Sequence, residues 1–301
     1  LPALQADELP HWDILQLNPF NWTDIKMLAP LVPVLLLELS LVGWKASSIR
    51  RLVALQNESI MTDWAFLLLL ISGLYGILIM AAGFGIYAHR IEAAAHWHAW
   101  EFFAAQPLWI AVPALYLGRS FSSYWLHRLQ HSQWLWPLHK THHAAREFTI
   151  LNYLRGHPVE LAWQTLAQTV LFASIGFSVD AISWYLLLNT GQQFLSHSNA
   201  TQLLPLERFG LVTAAGHRIH HGIEPRYHNR NFGELLNIWD RLFGTYLPPT
   251  RHLLQIPIGV EDGEQPYNDP LLPIALCQQA AGWLRIIGAR IRIPVPKRSP
   301  L

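Results

Sequence analysis

The sequence predicts an all-α protein, built as a multi-span bundle of membrane helices that carries a cytoplasmic, histidine-rich helical domain. Hydrophobic residues make up 51% of the 301-residue chain and charged residues only 14%, against roughly 25% charged residues in an average soluble domain. Long apolar runs recur along the chain, whereas alternating strand patterns are weak throughout. Eight of the 16 histidines fall within two short stretches, 127–143 and 217–221.

The apolar runs divide the chain into regions. In order, these are a polar N-terminal segment (1–26), transmembrane spans (27–126), a histidine-rich region (127–250) that includes a membrane hairpin (161–196), and a C-terminal segment (251–301). The spans proper are predicted over 27–44, 62–88 and 105–126. Each is close to the ~20 residues that a helix needs to cross the hydrocarbon of a bilayer.

Polar and charged residues indicate where the apolar runs break and which of them are less suited to lipid. The hairpin is expected to break near 176–180, and the run 271–288 is interrupted by enough polar residues to favour an interfacial helix. Glu38 lies inside the first apolar run, where a carboxylate facing lipid is costly, so we expect it to face other helices or water. The N-terminal segment has neither a basic start nor an apolar run and does not read as a signal peptide.

Charge places the histidine-rich region on the cytoplasmic side. Lys45, Arg50 and Arg51 follow the first span, and positive residues favour the cytoplasmic face of a membrane. Counting spans from there places the histidines on the same side. Arg128, Lys140, Arg146 and Arg155 either mark this side or contact an anionic headgroup.

Composition also excludes several classes of site. The net charge of +1 gives no basic face for nucleic acid. Cys277 is the single cysteine, which excludes an internal disulfide and any cysteine-based metal cluster.

The histidines recur at helical spacing. A spacing of i, i+3 or i+4 brings imidazoles to one face of a helix. Three motifs have this spacing, and a ninth histidine follows the predicted hairpin: His127 and His131; His139, His142 and His143; His217, His220 and His221; and His197.

Nine imidazoles are too many for one tetrahedral zinc ion, which takes four ligands, and they predict a helical di-metal domain. A single HxxxH pair is common on helices, and one HxxHH triplet can be a zinc site or a wet surface. Two identical triplets and a pair beside apolar spans are not surface decoration, because unpaired histidines near lipid cost free energy. Imidazole suits Zn, Cu, Fe and Ni, so these residues do not identify the metal. The Glu-x-x-His repeat of carboxylate-bridged di-iron bundles is absent from the sequence.

Residues from about 115 to 250 resemble the fatty acid hydroxylase/sterol desaturase superfamily of membrane di-iron oxygenases. The resemblance is carried by the strings YWLHRLQH (124–131), LWPLHKTHH (135–143), LNYLRGHPVE (151–160), FLSHSN (194–199), GHRIHH (216–221) and NFGELLNIWDRLFGTY (231–246). It implies that the metal ligands are His127, His131, His139, His142, His143, His197, His217, His220 and His221.

Three further residues are weaker candidates. His157 stands before Pro158 and is either a helix start or a partner of the site, and Asn199 and Asp240 are candidates to orient ligand imidazoles through hydrogen bonds. In one departure from the family pattern, Ser120 stands where relatives often carry an Asp, so a carboxylate partner of a ligand histidine is missing or comes from elsewhere.

The resemblance implies an O2-dependent di-iron lipid hydroxylase, or a desaturase using the same site, that acts on a fatty acyl chain, a sterol or a related bilayer lipid. The chain has no dinucleotide-binding fingerprint or cysteine cluster, so an external electron donor is expected, namely a separate reductase acting through ferredoxin or cytochrome b5. Metal transport or storage remains an alternative, and it predicts histidines inside the spans. A zinc hydrolase would need a general-base Glu, as in HExxH, and the sequence has no such string.

Overall fold

The computed structural model describes residues 28–55, 57–82, 103–173, 175–261 and 266–291. Its α-helices are α1 (Leu31–Ala46), α2 (Ser48–Ala54), α3 (Glu58–Ile71), α4 (Leu74–Ala82), α5 (Leu108–Gln130), α6 (Trp136–His143), α7 (Pro158–Ala173), α8 (Val179–Ser196), α9 (Ala214–His220), α10 (Ile238–Leu242) and α11 (Leu272–Ile291). Short 3-10 helices cover Ile150–Leu154, Thr201–Phe209, Pro225–Tyr227 and Arg251–Leu253. Extended pairing within these ranges is limited to two isolated bridges, so the all-α prediction is confirmed. The predicted polar segment 1–26 lies outside the described residues.

The helices do not establish the predicted membrane spans. Among the described helices, none has by itself both the length and the hydropathy for a crossing. Only α1 and α2 meet that test together, and they are bent by 60° relative to each other. The multi-span bundle is therefore not confirmed.

The first apolar run ends in a bend because of its local sequence. Gly43 has a φ of +71°, a left-handed conformation that glycine adopts without steric cost. Ser47 then starts α2, since its side chain accepts a hydrogen bond from the backbone of Arg50. Glu38 is buried at this bend and accepts hydrogen bonds from Ser48 N at 3.0 Å and from Asn199 N at 2.7 Å. The expectation that Glu38 faces protein or water is confirmed, because it joins α1 to α2 and to the chain after α8.

The span predicted over 62–88 is not confirmed, because its described residues do not form one continuous helix. The chain forms α3, breaks at Ser72 and Gly73, and starts again as α4. Gly73 has a φ of +74°, a left-handed conformation that departs from helical geometry and commonly ends a helix. Residues 83–88 lie outside the described part of the chain.

The hairpin predicted over 161–196 is present as two helices, α7 and α8. The break between Ala173 and Val179 overlaps the expected 176–180, and Ser178 begins α8 by accepting a hydrogen bond from Ala181 N. Helix α8 packs along α5 through a buried apolar cluster that includes Leu115, Phe177 and Tyr185. This packing brings the C-terminal ends of α5 and α8 close to each other.

The C-terminal helix packs against the same unit. Leu272 and Leu276 of α11 are buried in a cluster with Phe66 and Leu69 of α3. The predicted helix at 271–288 is therefore present, and its outer face exposes Ile274 and Leu284.

Candidate metal centre

All nine histidines predicted as ligands lie where four helices meet. Helix α5 supplies His127 in its last turn and His131 just after it, and α6 supplies His139, His142 and His143. His197 follows the last residue of α8, and His217, His220 and His221 come from α9 and its C-terminal cap.

The nine rings form two groups. The five-histidine group is His127, His131, His139, His143 and His220. The four-histidine group is His142, His197, His217 and His221. In each group, one ring nitrogen from every member lies within 4.8 Å of those of the others. Each group can therefore surround a single ion.

Each HxxHH triplet contributes to both groups. His139 and His143 belong to the five-histidine group, whereas His142, on the same helix, belongs to the other. On α9 the division is reversed, since His220 joins the five-histidine group. Around a helix, residue i+4 lies about 40° to one side of residue i, whereas residue i+3 lies on its other side. The histidines of α6 and of α9 therefore point toward both groups. The groups are adjacent, because the rings of His143 and His221 stack with centroids 4.3 Å apart.

Backbone carbonyls fix the tautomer of four rings. A carbonyl oxygen only accepts, so the Nδ1 facing it carries the proton and Nε2 carries the lone pair. The donor–acceptor distances are His127 to Phe232 O, 2.8 Å; His142 to Arg155 O, 3.3 Å; His197 to Gln193 O, 2.8 Å; and His220 to Arg230 O, 2.9 Å.

The lone pairs then point at one another. His142 Nε2 and His197 Nε2 lie 3.2 Å apart, although Nδ1 carries the proton in both rings. Nε2 of His131, His143 and His220 is buried without a hydrogen-bond partner among the described residues. Converging lone pairs repel, and a buried nitrogen without a partner is costly, so the arrangement calls for cations between the rings.

The electrostatics favour the ligand form of these side chains. Burial, and then the neighbouring histidines, hold the pKa of His143 and of His221 well below the usual value for imidazole. Burial lowers the pKa of His197 to about 4. Neutral imidazole is the form that binds metal, so the donor set fits two transition-metal ions and is unsuited to Mg²⁺ or Ca²⁺, which prefer oxygen ligands.

The sequence analysis missed one residue of the site, Glu160. Its Oε1 accepts hydrogen bonds from His139 Nδ1 at 2.6 Å and from Gln130 Nε2 at 2.7 Å. The string HPVE contained a signal, since Pro158 begins α7 and places Glu160 in its first turn. Ser120, by contrast, bonds to Leu117 O and Trp239 Nε1. The carboxylate partner of a histidine thus comes from α7 and not from α5.

His157 lies outside both histidine groups. Its Nδ1 accepts from Val159 N at 3.2 Å, and its Nε2 lies 3.1 Å from Leu276 O. It therefore starts α7 and ties this helix to α11.

The two predicted orienting residues bond to the backbone around the site. Asp240 accepts from the backbone N–H of Phe232 and of Gly233, and so fixes the carbonyl that receives the proton of His127. Asn199 donates to Glu38 and to Phe148 O, and no hydrogen bond from it to a histidine is seen within the described part of the chain.

Comparisons with known proteins match the region of the chain that holds all nine histidines. The family model for fatty acid hydroxylase matches residues 112–245. An alkylglycerol monooxygenase of Xenopus tropicalis is 33% identical over 141 residues, which cover 46% of this chain and 31% of that protein. An ornithine lipid hydroxylase of Rhizobium tropici is 29% identical over 44% of this chain and 40% of its own length. A Delta(7)-sterol 5(6)-desaturase of Aspergillus fumigatus is 30% identical over 48% of this chain and 42% of its own.

The fold and the site define a helical protein with a candidate histidine-rich centre for two metal ions. Residues 112–245 match the fatty acid hydroxylase family, and the relatives named above are hydroxylating or desaturating enzymes of that superfamily, so the predicted resemblance is confirmed over this region. The matched regions span between about a third and two fifths of the relatives named above. No solved structure matches the chain.

Proposed function

We propose that this protein is an O2-dependent lipid hydroxylase whose nine histidines hold two iron ions. The observation that carries the proposal is the pair of adjacent, buried histidine groups whose lone pairs converge. Iron is one of the metals that imidazole ligands suit. The named relatives are lipid hydroxylases, monooxygenases and desaturases, which supports iron over a structural zinc.

The overall reaction converts a C–H bond, O2, two electrons and two protons into an alcohol and water. Iron, when bound, supplies the O2 chemistry that no amino-acid side chain provides. The residues of this chain hold and orient the metals: the Phe232 and Gln193 carbonyls fix the rings of His127 and His197, and Glu160 fixes His139.

An apolar groove supports an alkyl chain as the substrate. A cavity of about 750 Å³ lies between α5 and α8 and is lined by residues such as Leu117, Leu188 and Leu195. Thr213, also in the lining, lies about one helical turn before His217 of the four-histidine group. A lipid chain in this groove would approach the four-histidine group from the apolar side.

The electrons must come from outside the chain. The sequence has no Gly-rich dinucleotide fingerprint and only one cysteine. We propose a separate reductase that acts through ferredoxin or cytochrome b5.

We further propose that the protein is a multi-pass membrane protein with its site on the cytoplasmic side. Exposed apolar side chains support this: Leu36, Leu68 and Leu188 are 60%, 58% and 49% exposed, in α1, α3 and α8. Such surfaces are costly in water and favourable in lipid.

The proposal predicts two irons per chain and transfer of oxygen from O2. The purified protein would be loaded with Fe(II), given a reductase system, and incubated under ¹⁸O2 with vesicles that contain an ether lipid, a fatty acyl lipid or a sterol. Mass spectrometry would detect one ¹⁸O in an alcohol product. An unlabelled alkene would favour the desaturase alternative, and a chain that binds fewer than two metals would contradict the proposal.

The groove makes a separate prediction. Leu188→Trp would fill it and remove burial of about two methylenes of an alkyl substrate, at about 0.8 kcal/mol each. We expect kcat/KM to fall about tenfold, because 1.4 kcal/mol corresponds to a factor of ten. Leu186→Trp is the matched control, since Leu186 is 37% exposed on the same helix and is not among the groove residues. Equal activity of the two variants would exclude the groove as the binding site.

A further inference from the structure

His139, in the five-histidine group, differs in its hydrogen-bond partner from the four rings whose tautomer is fixed by a backbone carbonyl. His127, His142, His197 and His220 donate from Nδ1 to backbone carbonyls. His139 instead faces the carboxylate of Glu160, at 2.6 Å. Among the described residues, this is the one carboxylate that lies within hydrogen-bond distance of a ring of either group.

Glu160 is held rigidly in this position. Its side chain is 2% exposed, and the Gln130 amide, from the last turn of α5, donates to the same oxygen at 2.7 Å. The ring of His157 starts the helix that carries Glu160 and bonds to the Leu276 carbonyl. The carboxylate is thus set by α5, α7 and α11 together.

A second carboxylate near the site provides a comparison. Glu234 Oε1 lies 3.8 Å from His127 Nδ1, beyond hydrogen-bond range, and that nitrogen already donates to Phe232 O. The Glu234 side chain is 19% exposed. It therefore contributes charge near the same group without orienting a ring.

A carboxylate acts on a ligand imidazole more strongly than a carbonyl does. Burial raises the pKa of the Glu160 carboxyl to about 8, and a cation held by His139 opposes this shift because a nearby positive charge favours the ionised form. An ionised acceptor makes a shorter and roughly twice as strong hydrogen bond. A carboxylate on Nδ1 fixes the tautomer and raises the basicity of Nε2, and loss of such a partner typically weakens metal binding by ~10–100-fold.

We infer that Glu160 is a positioning residue that selectively strengthens metal binding by the five-histidine group, through its hydrogen bond to His139. The two metal positions are therefore chemically unequal, since the rings of the four-histidine group with assigned tautomers face backbone carbonyls and the Ser196 hydroxyl, and not a carboxylate. This inference rests on the proposed function only in requiring that both groups bind metal.

The test is a chelator titration of the protein loaded anaerobically with Fe(II), with retained iron counted and followed by Mössbauer spectroscopy. In Glu160→Gln we expect one of the two irons to be lost at a chelator concentration about 10–100-fold lower than in the wild type. The second iron, and its spectrum, should not change. Glu234→Gln is the matched control and should retain both irons as the wild type does.

The outcomes distinguish failure of this inference from failure of the proposed function. A wild-type chain that binds no metal overturns both. Two irons in the wild type with unchanged retention in Glu160→Gln, or with equal weakening of both irons, overturns the inference alone, because the second result indicates a general role in folding. If Glu160→Gln does not fold, Glu160→Asp decides: weakening of one iron alone supports the inference, and wild-type retention refutes it.

Discussion

Replacing His142 or His220 by alanine will lower the iron content and abolish lipid oxidation, and the two variants will lose iron from different positions. His142 belongs to the four-histidine group and His220 to the five-histidine group. Changes in residues that merely support ligands cost ~10–100-fold in metal affinity or activity, so the loss of a direct ligand should cost at least about 100-fold. Elemental analysis of the purified variants and single-turnover assays with lipid would measure both effects.

The matched control is His228→Ala. His228 is exposed, bonds through Nε2 to the Ile223 carbonyl, and belongs to neither group. It should retain full iron and activity. Wild-type iron content in both His142→Ala and His220→Ala would show that the two groups are not the metal sites.

Asp63→Ala will destabilise the fold by about 3–5 kcal/mol, because it leaves a buried guanidinium without its partner. Asp63 and Arg155 are almost fully buried, with Arg155 Nε 2.6 Å from Asp63 Oδ1. Thr149 and Asn152 donate to the same carboxylate. Arg155 also supplies the carbonyl that fixes His142, so the damage should reach the four-histidine group.

Thermal unfolding, followed by circular dichroism in the detergent or lipid that keeps the protein folded, would measure the loss. Glu224→Ala removes the partner of Arg226 from a solvent-exposed pair and should leave the unfolding midpoint unchanged. Equal midpoints for Asp63→Ala and the wild type would show that the buried pair does not hold the loop before α7.

Arg155 shows where reasoning from the sequence stops. Its position among other basic residues indicated a cation at the cytoplasmic surface or near a headgroup. The structure buries it, with 2% of the residue exposed, between α3 and the segment that leads to Pro158. Asp63 is 92 residues away in the sequence, and no local pattern pairs residues at that distance.

The break inside the apolar run 62–88 could not be predicted for a related reason. Its composition satisfies a membrane span, but Gly73 adopts a left-handed conformation that ends α3. Hydropathy measures composition along a window and does not register a single backbone angle. The hairpin predicted over 161–196 from its apolar length is present as two helices, and the second begins at a local hydrogen bond, in which Ser178 accepts from Ala181 N.

The sequence by itself determined that the protein is helical, that its region 112–245 resembles the fatty acid hydroxylase/sterol desaturase superfamily, and that eight of the nine candidate ligand histidines stand at helical spacing. Those properties depend on neighbours within a few residues, and helical periodicity converts spacing directly into a shared face. Tertiary structure alone decided that the rings divide into five and four, with each triplet serving both groups, and that Glu160 supports His139. Distances between α5, α6, α7 and α9 are set by side-chain packing between helices, which no spacing along the chain encodes.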